Sequence, residues 1–371
     1  MANPLKVAVC GTGLIADVKH IPAWQKIASK AKLECICDLN EEAARKVADK
    51  FGIPKVYTDF AKMLADEKPD IVDICTPPKT HKFLAVQAMD AGANAMIEKP
   101  MAMDVEESDA IIEARDRNGV SVMCCHSDLF YLSFMKARQM IESGEIGDFR
   151  GMRIFLSTPT HYITAKEDHW GNKLPGGVIG ETGPHLVYMT LPFIPEIREV
   201  GVVAAKLLDE YPWSPFEDYR ITLRGDKALC SITAAYTSDE WLCQVEMIGS
   251  DAVLRLDLET QSVVKYTRDN IKASTAAFSQ LSEAGQLLKN TFAVGTRYAT
   301  GAVPSSHDLM CEQFTDSIIN KTKSPVPAEE GRETVRVLKE IVDQLESKYP
   351  QPLADAAAHH AKADEAKSSA A

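Results

Sequence analysis

The sequence contains no uninterrupted apolar run close to the roughly 18 residues that a membrane-spanning helix needs, so we do not expect a membrane protein. It also lacks any cluster of lysine and arginine. With 41 basic and 53 acidic residues the formal net charge is -12, which argues against nucleic-acid binding. The N-terminal segment lacks the charged region, long apolar core and cleavage site of a secretory signal, so we expect a cytoplasmic protein.

The cysteines do not indicate a disulfide framework, because there are nine of them, an odd number. The adjacent Cys124 and Cys125 end an apolar run and have no CxxC partner, which argues against a redox or metal role. We therefore expect reduced cysteines in the core. Four other cysteines lie in apolar runs typical of buried strands, namely Cys10, Cys35, Cys37 and Cys75.

The chain is 371 residues long, which favours two domains of ordinary size. Residues 1–126 alternate short apolar runs with longer amphipathic segments, the pattern of βαβ units and a parallel sheet. We predict an α/β protein whose first domain, residues 1–126, is a doubly wound Rossmann domain. Its predicted strands are Lys6–Cys10, Leu33–Asp38, Lys55–Tyr57, Ile71–Thr76, Asn94–Glu98 and Val120–Cys125, with helices at Glu41–Phe51, Thr80–Ala91 and Val105–Asn118.

After Ser127 the pattern changes to successive strand-like runs without helices between them, which predicts an α+β second domain with a large, mainly antiparallel open sheet. We place this domain at residues 127–352. Residues 353–371 are mostly alanine and charged or small polar residues, and we expect a disordered tail there. The predicted strands are 149–157, 198–206, 219–223, 228–236, 244–248 and 252–257, and helices are predicted at 132–143, 308–320 and 331–348.

A GxGxxA turn follows the first predicted strand and precedes a helical segment. Gly11 permits a tight turn, Gly13 lets the main chain approach a pyrophosphate, and Ala16 allows close packing of helix on strand. Asp38 ends the second strand, where a carboxylate can accept hydrogen bonds from both ribose hydroxyls and repel a 2'-phosphate. The sequence therefore predicts NAD as the cofactor, with Thr12, Leu14 and Ile15 as further contacts in the turn.

At Glu98-Lys99-Pro100 the sequence resembles the glucose-fructose oxidoreductase, inositol dehydrogenase and MocA (Gfo/Idh/MocA) family. The resemblance covers nearly the whole chain, and it is the ordered set of motifs that is specific. The motifs are GTGLIADVKHIPA from Gly11, ICTPPKTH from Ile74, EKPMA from Glu98, MIESGEIGDFRG from Met140, GGVIGETGPH from Gly176 and PVPAEEGRETVRVLK from Pro325.

The resemblance implies an NAD-dependent oxidoreductase that transfers a hydride between the nicotinamide and a hydroxyl of a sugar, sugar derivative or cyclitol. It implies that Lys99 lies between nicotinamide and substrate, and that His185 removes the hydroxyl proton. The sequence departs from the family pattern at Glu181, where Asp is usual, and at Tyr188, where another Asp often stands. The resemblance also implies a homodimer or homotetramer through the C-terminal sheet. Further cofactor contacts are expected at Thr76, Pro77, His81 and Glu98.

Polar and aromatic side chains from several loops are candidates for substrate binding. They include His161 and Tyr162 in the segment 158–170, because aromatic faces flanked by polar groups suit a sugar ring. The segment is equally compatible with an ordinary exposed loop. With Lys99, Glu181 and His185, the expected substrate contacts are His126, Tyr131, His161 and Tyr162.

Three other functions stay open at this point. A zinc site could be built from His161, His169, Glu181 and His185, although no metal-binding spacing connects them, and we expect no metal. A glycosidase-like or epimerase-like enzyme could retain NAD and act through a transient 3-keto sugar. A Rossmann-based redox sensor would need no catalytic residues. The residues do not identify which sugar or which carbon is oxidised.

Overall fold

The computed structural model describes residues 3–299 and 303–370. It divides into two compact units: Met1–Phe130 with Pro304–Arg336, and Tyr131–Val303 with Val337–Ala371. The chain therefore returns to the first unit near its end, which differs from the single boundary expected after residue 126. Ion pairs hold the returning segment: the ammonium of Lys30 lies 2.8 Å from Glu312 and 2.9 Å from Asp316.

The first unit contains the predicted doubly wound parallel sheet, so the predicted fold class is confirmed. The strand order is β3-β2-β1-β4-β5-β6. The order reverses between β1 and β4, and ligands of such sheets bind outside the carboxyl ends of the strands at that point. The strands are β1 Leu5–Cys10, β2 Ala31–Cys37, β3 Lys55–Tyr57, β4 Ile71–Ile74, β5 Asn94–Ile97 and β6 Val122–Cys124.

Side-chain caps and glycines determine where several helices of the first unit begin and end. Asn40 accepts a hydrogen bond from the main-chain nitrogen of Ala43, and Gly52 ends the same helix at a φ of 67°. The helix after β1 begins with a π-helical turn, Ala16–His20, a wide turn often found near functional sites. The other helices are α1 Ile21–Lys26, α2 Glu41–Phe51, α3 Phe60–Glu67, α4 His81–Asp90, α5 Val105–Asn118 and α9 Ser306–Asn320.

The second unit contains a seven-stranded sheet in the order β13-β12-β11-β7-β10-β9-β8. Only the central pair β7 and β10 is parallel among the described strand pairs, so the sheet is mainly antiparallel as predicted. Along the strands buried and exposed residues alternate, as expected when one face is covered. The strands are β7 Phe149–Ser157, β8 Glu199–Ala205, β9 Asp218–Arg224, β10 Leu229–Ala235, β11 Leu242–Gly249, β12 Val253–Asp257 and β13 Ser262–Tyr266.

The C-terminal tail is helical, which corrects the expectation of disorder. Its many alanines favour the helix, and Ala356 is buried. His359 lies 3.0 Å from Glu167, and the ring of His360 lies 3.1 Å from the carbonyl oxygen of Trp213. The remaining helices are α6 Leu132–Glu142, α7 Ile179–Tyr188, α8 Ala273–Ala299, α10 Ala328–Lys348, within which the two units divide, and α11 Pro350–Ala370.

No helix among the described residues is both long and apolar enough to cross a bilayer. All nine cysteines are buried and carry free thiols, which agrees with their predicted place in the core.

Candidate active site

The glycine-rich turn after β1 combines a crowded position with an open one. At Gly11 φ is +93°, and a Cβ would lie 2.8 Å from the carbonyl carbon and oxygen of Cys75. Only glycine therefore fits where the ends of β1 and β4 meet. At Gly13 a Cβ would meet no atom within 4 Å, so the main chain there is accessible. This open space beside the turn fits the approach of a dinucleotide pyrophosphate.

Asp38 lies at the end of β2 with its carboxylate held toward the same turn. Its Oδ2 accepts hydrogen bonds from the main-chain nitrogen of Thr12 at 2.7 Å and from the Thr12 hydroxyl at 2.8 Å. Its Oδ1 accepts from the nitrogen of Asn40 at 2.9 Å. A carboxylate offers about four acceptor positions, so these bonds fix its orientation and leave capacity for a ribose hydroxyl. Both apolar side chains beside these groups are exposed, Leu14 by 77% and Leu39 by 93%.

His81 lies beneath the loop that follows β4, although we expected a direct cofactor contact. The residue is fully buried, and its ring nitrogens lie 2.7 Å from the carbonyl oxygen of Thr76 and 2.9 Å from that of Pro100. Burial lowers the pKa of His81, and the hydrogen bonds to the carbonyls of Thr76 and Pro100 oppose that shift. His81 thus joins this loop to the segment after β5. The hydroxyl of Thr76 accepts a hydrogen bond from Thr80, and Pro77 is exposed.

Glu98 also points into the core and away from the expected cofactor contact. It is 8% exposed, its Oε1 lies 2.8 Å from Nε2 of His20, and its Oε2 accepts from the main-chain nitrogen of Lys99. The opposite ring nitrogen of His20 lies 2.8 Å from Oδ2 of Asp73, which also accepts from the indole of Trp24. His20 and Asp73 were not predicted from the sequence. The sequence does contain an indication of this pair, because Asp73 is a charged residue in the otherwise apolar strand β4 and requires a partner.

Lys99 is half-buried and immediately follows Glu98 beyond the carboxyl end of β5, and its peptide bond to Pro100 is cis. The side chain is thus placed at the edge where ligands of parallel sheets bind. His126 follows β6 at the same edge but is fully buried, so its side chain is not presented to solvent. Tyr131 is half-buried and precedes α6 in the second unit.

In the second unit, α7 carries Glu181 and His185 one helical turn apart, both half-buried. Nδ1 of His185 lies 2.7 Å from the hydroxyl of Tyr188, and Tyr188 itself is fully buried. The tyrosine that replaces an expected carboxylate is therefore the orienting partner of the imidazole. This contact between Tyr188 and His185 was not predicted from the sequence.

Helix α7 is anchored to the sheet by hydroxyl groups and by close packing. The hydroxyl of Thr182 is hydrogen-bonded to that of Tyr236, the residue that follows β10. The Tyr219 hydroxyl donates a hydrogen bond to the main-chain carbonyl of Gly176 at 2.9 Å. A Cβ at Gly183 would lie 2.8 Å from a methyl carbon of Leu338, so α10 approaches α7 closely here. These contacts fix the position of α7 and therefore of the helix face that bears His185.

The segment 158–170 folds into turns in which Tyr162 packs edge-on against Trp241, with ring centroids 4.8 Å apart. His161 is 74% exposed and lies 3.8 Å from Asp239. Burial lowers the pKa of His169, and the charge of Glu181 opposes this shift, which places Glu181 near His169. Of the predicted substrate residues, His161 and Tyr162 therefore share one loop, whereas Glu181 and His185 share the face of α7.

Within residues 3–299 and 303–370, two clusters of potential metal ligands occur, and both contain His20. Neither includes the four residues of the zinc alternative. In both clusters the nitrogens of His20 already lie within hydrogen-bond distance of carboxylates. These clusters are thus explained as buried ion pairs.

Comparison with known proteins identifies the family. Residues 5–126 match the model described as "Oxidoreductase family, NAD-binding Rossmann fold", and residues 134–255 match the "GFO/IDH/MocA C-terminal domain". Over 286 residues the chain is 32% identical to D-apiose dehydrogenase of Paraburkholderia graminis, which covers 73% of this chain and 72% of that protein. The chain belongs to the Gfo/Idh/MocA family. The resemblance predicted from the sequence is confirmed. The first unit of the chain contains an NAD-binding Rossmann domain.

Further proteins resemble this chain at lower sequence identity. The chain is 28% identical to D-glucoside 3-dehydrogenase of Escherichia coli over 191 residues, 50% of this chain, and the match spans only 53% of that relative's length. A scyllo-inositol dehydrogenase from Lactobacillus casei, solved with NAD(H) and scyllo-inositol, has a TM-score of 0.71 at 19% identity and covers 92% of this chain and 97% of its own. An oxidoreductase domain protein from Kribbella flavida has a TM-score of 0.77 at 20% identity, with 94% and 98% covered.

Proposed function

We propose that this Gfo/Idh/MocA protein oxidises a secondary hydroxyl of a sugar, sugar derivative or cyclitol, with NAD as the hydride acceptor. The observation that carries the proposal is the pair His185 and Tyr188 on α7, where a half-buried imidazole is oriented by a buried hydroxyl. The named relatives act on apiose, a glucoside and an inositol, which supports a polyhydroxylated substrate.

The turn Gly11 to Gly13 would hold the pyrophosphate, and Asp38 would hold the adenosine ribose. Gly13 leaves space for the close approach, and Asp38 is already oriented by Thr12 and Asn40. When bound, NAD supplies a nicotinamide that accepts a hydride. The carboxylate of Asp38 would repel a 2'-phosphate, so we propose NAD over NADP.

His185 would remove the proton of the substrate hydroxyl. To act as a base through Nε2, the ring must carry its proton on Nδ1 and donate it to the Tyr188 oxygen at 2.7 Å. When Tyr188 accepts in this way it holds the reactive tautomer, a task that a carboxylate performs in many other imidazole sites. Glu181, one turn earlier on the same face, would hold a neighbouring substrate hydroxyl.

Lys99 would stabilise the alkoxide character that develops as the hydride leaves. An ammonium group can donate hydrogen bonds to that oxygen, and a donor fixed in advance requires little reorganisation during the reaction. The lysine follows β5 directly, on main chain fixed by Glu98 on one side and by the His81 contact to Pro100 on the other. Its main chain is thus rigidly placed.

The test is steady-state kinetics of His185→Ala with the best substrate from a screen of sugars, glycosides and inositols that monitors NADH formation. We expect kcat/KM to fall by about 10²- to 10⁴-fold, the usual contribution of a positioned general base. The Kd for NAD should not change, because His185 lies outside the NAD-binding domain. Partial rescue of His185→Ala by added imidazole would identify the lost group as a base. Near-wild-type kcat/KM in this variant would contradict the proposal.

In a variant of this chemistry NAD is retained and a 3-keto sugar is transient; the name of the E. coli relative, a D-glucoside 3-dehydrogenase, supports oxidation at carbon 3, which both variants share. Purified protein that carries NAD and turns over without added cofactor would select it. Stoichiometric release of NADH with each turnover would select the simple dehydrogenase.

We further propose a homodimer or homotetramer formed through the outer face of the seven-stranded sheet. Exposed apolar residues Val203, Leu229 and Ile248 lie on strands of this sheet, so its outer face is not wholly polar. Sedimentation at micromolar concentration tests this, and a monomer would contradict it. The buried free thiols favour a reducing compartment, and we propose the cytoplasm, which cell fractionation tests.

A further inference from the structure

A buried chain of polar contacts runs from the core of the first unit to the main chain of Lys99. It begins at Asp73 on β4, continues through the ring of His20 and the carboxylate of Glu98, and ends at the main-chain nitrogen of Lys99. Asp73 and His20 are fully buried, and Glu98 nearly so. We propose that His20 is a positioning residue for Lys99, whose imidazolium bridges Asp73 and Glu98 and so fixes the Glu98-Lys99 segment at the carboxyl edge of the sheet.

Both ring nitrogens of His20 lie 2.8 Å from carboxylate oxygens, so each contact requires a proton. Two protons are therefore shared among one imidazole and two carboxyl groups. Oδ2 of Asp73 also accepts from the Trp24 indole at 2.7 Å, and Oδ1 lies 3.6 Å from the Cys75 thiol, so both oxygens already face donors. Glu98 accepts from the main-chain nitrogen of Lys99, which has the same effect. Both protons thus belong to His20.

In this arrangement the positive charge of His20 lies between the carboxyl groups of Asp73 and Glu98. Burial alone would lower the pKa of His20, but the charge and hydrogen bond of Asp73, together with those of Cys75, outweigh burial and hold the pKa well above 6.5. Burial would raise the pKa of Glu98, but the hydrogen bond and charge of His20 lower it to about 2. Removing the imidazolium would leave two buried carboxylates, a costly arrangement.

The bridge reaches Lys99 through the geometry of Glu98. One oxygen of Glu98 contacts His20, and the other accepts the N–H of the next residue, so the side chain folds back over its own peptide. Fixing that carboxylate fixes the peptide plane from which Lys99 extends. The inference deepens the proposed function, because it rests on Lys99 acting on the substrate hydroxyl.

Other titratable groups face His20 from each neighbouring element, and they are neutral near pH 7. Burial and the charge of His20 lower the pKa of His307 to about 4. Burial raises the pKa of each nearby thiol. These groups are Cys75 after β4, Cys125 after β6, and His307 and Cys311 on α9.

The first test does not depend on activity. In protein labelled with 15N at histidine, the signals lost in His20→Gln identify His20, and we expect both ring nitrogens to carry protons from pH 6 to pH 8. If His20→Gln does not fold, the same spectrum of Glu98→Gln identifies His20 instead, by the shift of one of its ring nitrogen signals. A neutral His20 ring at pH 7 would overturn the proposal.

The second test compares His20→Gln with Trp24→Phe, which removes the other donor to the same Asp73 oxygen without touching Glu98. We expect His20→Gln to lower kcat by about 10- to 100-fold, as a small displacement of a reacting group does. Trp24→Phe should lower stability and leave kcat close to that of wild type. Equal losses of kcat in the two variants would overturn the positioning role.

The pH profile supplies a signature that a purely structural role would not give. Without the imidazolium, burial should raise the pKa of Glu98, so that kcat/KM of His20→Gln acquires a titration in the weakly acidic to neutral range. The double variant with Glu98→Gln should lose that titration, and its persistence would contradict the proposal. Lys99→Met tests the proposed function separately: unchanged turnover would refute the role of Lys99, while the NMR result would still decide the charge of His20.

Discussion

Alanine substitutions at Gly11 and Gly13 should separate the two roles of one glycine-rich turn. At Gly11 φ is +93° and a Cβ would lie 2.8 Å from main-chain atoms of Cys75. The left-handed conformation costs alanine roughly 1–2 kcal/mol, and overpacking adds typically about 1–3 kcal/mol. Gly11→Ala should therefore lower the free energy of unfolding by about 2–5 kcal/mol.

Gly13 behaves differently because its Cβ would meet no atom within 4 Å. Its φ lies outside the left-handed region, so alanine reduces the entropy of the unfolded chain and adds roughly 0.4–1 kcal/mol of stability. The unfavourable effect of Gly13→Ala on stability should appear only when NAD is present. At a concentration of 100 Kd the wild type gains about 2.7 kcal/mol from ligand binding, and Gly13→Ala should gain much less.

The assay is urea unfolding with and without NAD, followed by tryptophan fluorescence, to which Trp24 contributes from the first unit and Trp170, Trp213 and Trp241 from the second. Gly52→Ala is the matched control, since Gly52 has a φ of +67° but no atom within 4 Å of its Cβ. It should show only the conformational cost. The reasoning fails if Gly11→Ala is no less stable than Gly52→Ala, or if Gly13→Ala binds NAD with wild-type affinity.

Three further changes test other parts of the structure. Asp38→Ser combined with Leu39→Arg should shift the ratio of kcat/KM values toward NADP, and an unchanged ratio would argue against Asp38 as the ribose ligand. Tyr188→Phe should lower kcat by roughly 10-fold with little change in KM, because the imidazole loses its orienting hydroxyl at 2.7 Å; equal kcat would show that the contact is not used. Stability of the first unit should fall as the pH drops from 6.5 to about 4, because His307 stays neutral when folded but takes up a proton when unfolded. In urea unfolding across this range, His307→Gln should show a weaker dependence than wild type; the part that remains is expected from His81, whose pKa burial also lowers.

Local patterns were sufficient to predict most of the sheet and the cofactor turn. Strand and helix periods are set by neighbouring residues, and the predicted α2, α5 and β7 have the observed bounds. Strand β13 and helices α3 and α8 were not predicted. Helix α8 contains two glycines and several serines and threonines, and its largest apolar side chains are exposed, so its pattern lacks a clear buried face.

The partners of the site depend on contacts that no local pattern contains. His20 lies 53 residues from Asp73 and 78 from Glu98 in sequence, and a single histidine at the end of a short helical turn gives no indication of either partner. The same holds for His81, whose motif predicted a cofactor contact but whose nitrogens face two main-chain carbonyls. The residue types thus predicted that the site lies at the carboxyl edge of the parallel sheet. They did not predict which side chains support the main chain there and which face the ligand.

The substitution at Tyr188 changes the chemistry of the proposed base as well as its position. A carboxylate only accepts hydrogen bonds, so it would hold the His185 proton on Nδ1 in every state. A phenol both donates and accepts. When the Tyr188 oxygen accepts from Nδ1, Nε2 has a free lone pair and could take up the substrate proton; the imidazolium that results is the acid that the reverse reaction, reduction of a ketone, would need. When the Tyr188 hydroxyl donates to Nδ1, Nε2 carries the only ring proton and could not act as a base. Because Tyr188 is fully buried, its hydroxyl is shielded from water, and the position of the proton in this contact would determine whether His185 can serve as the proposed base.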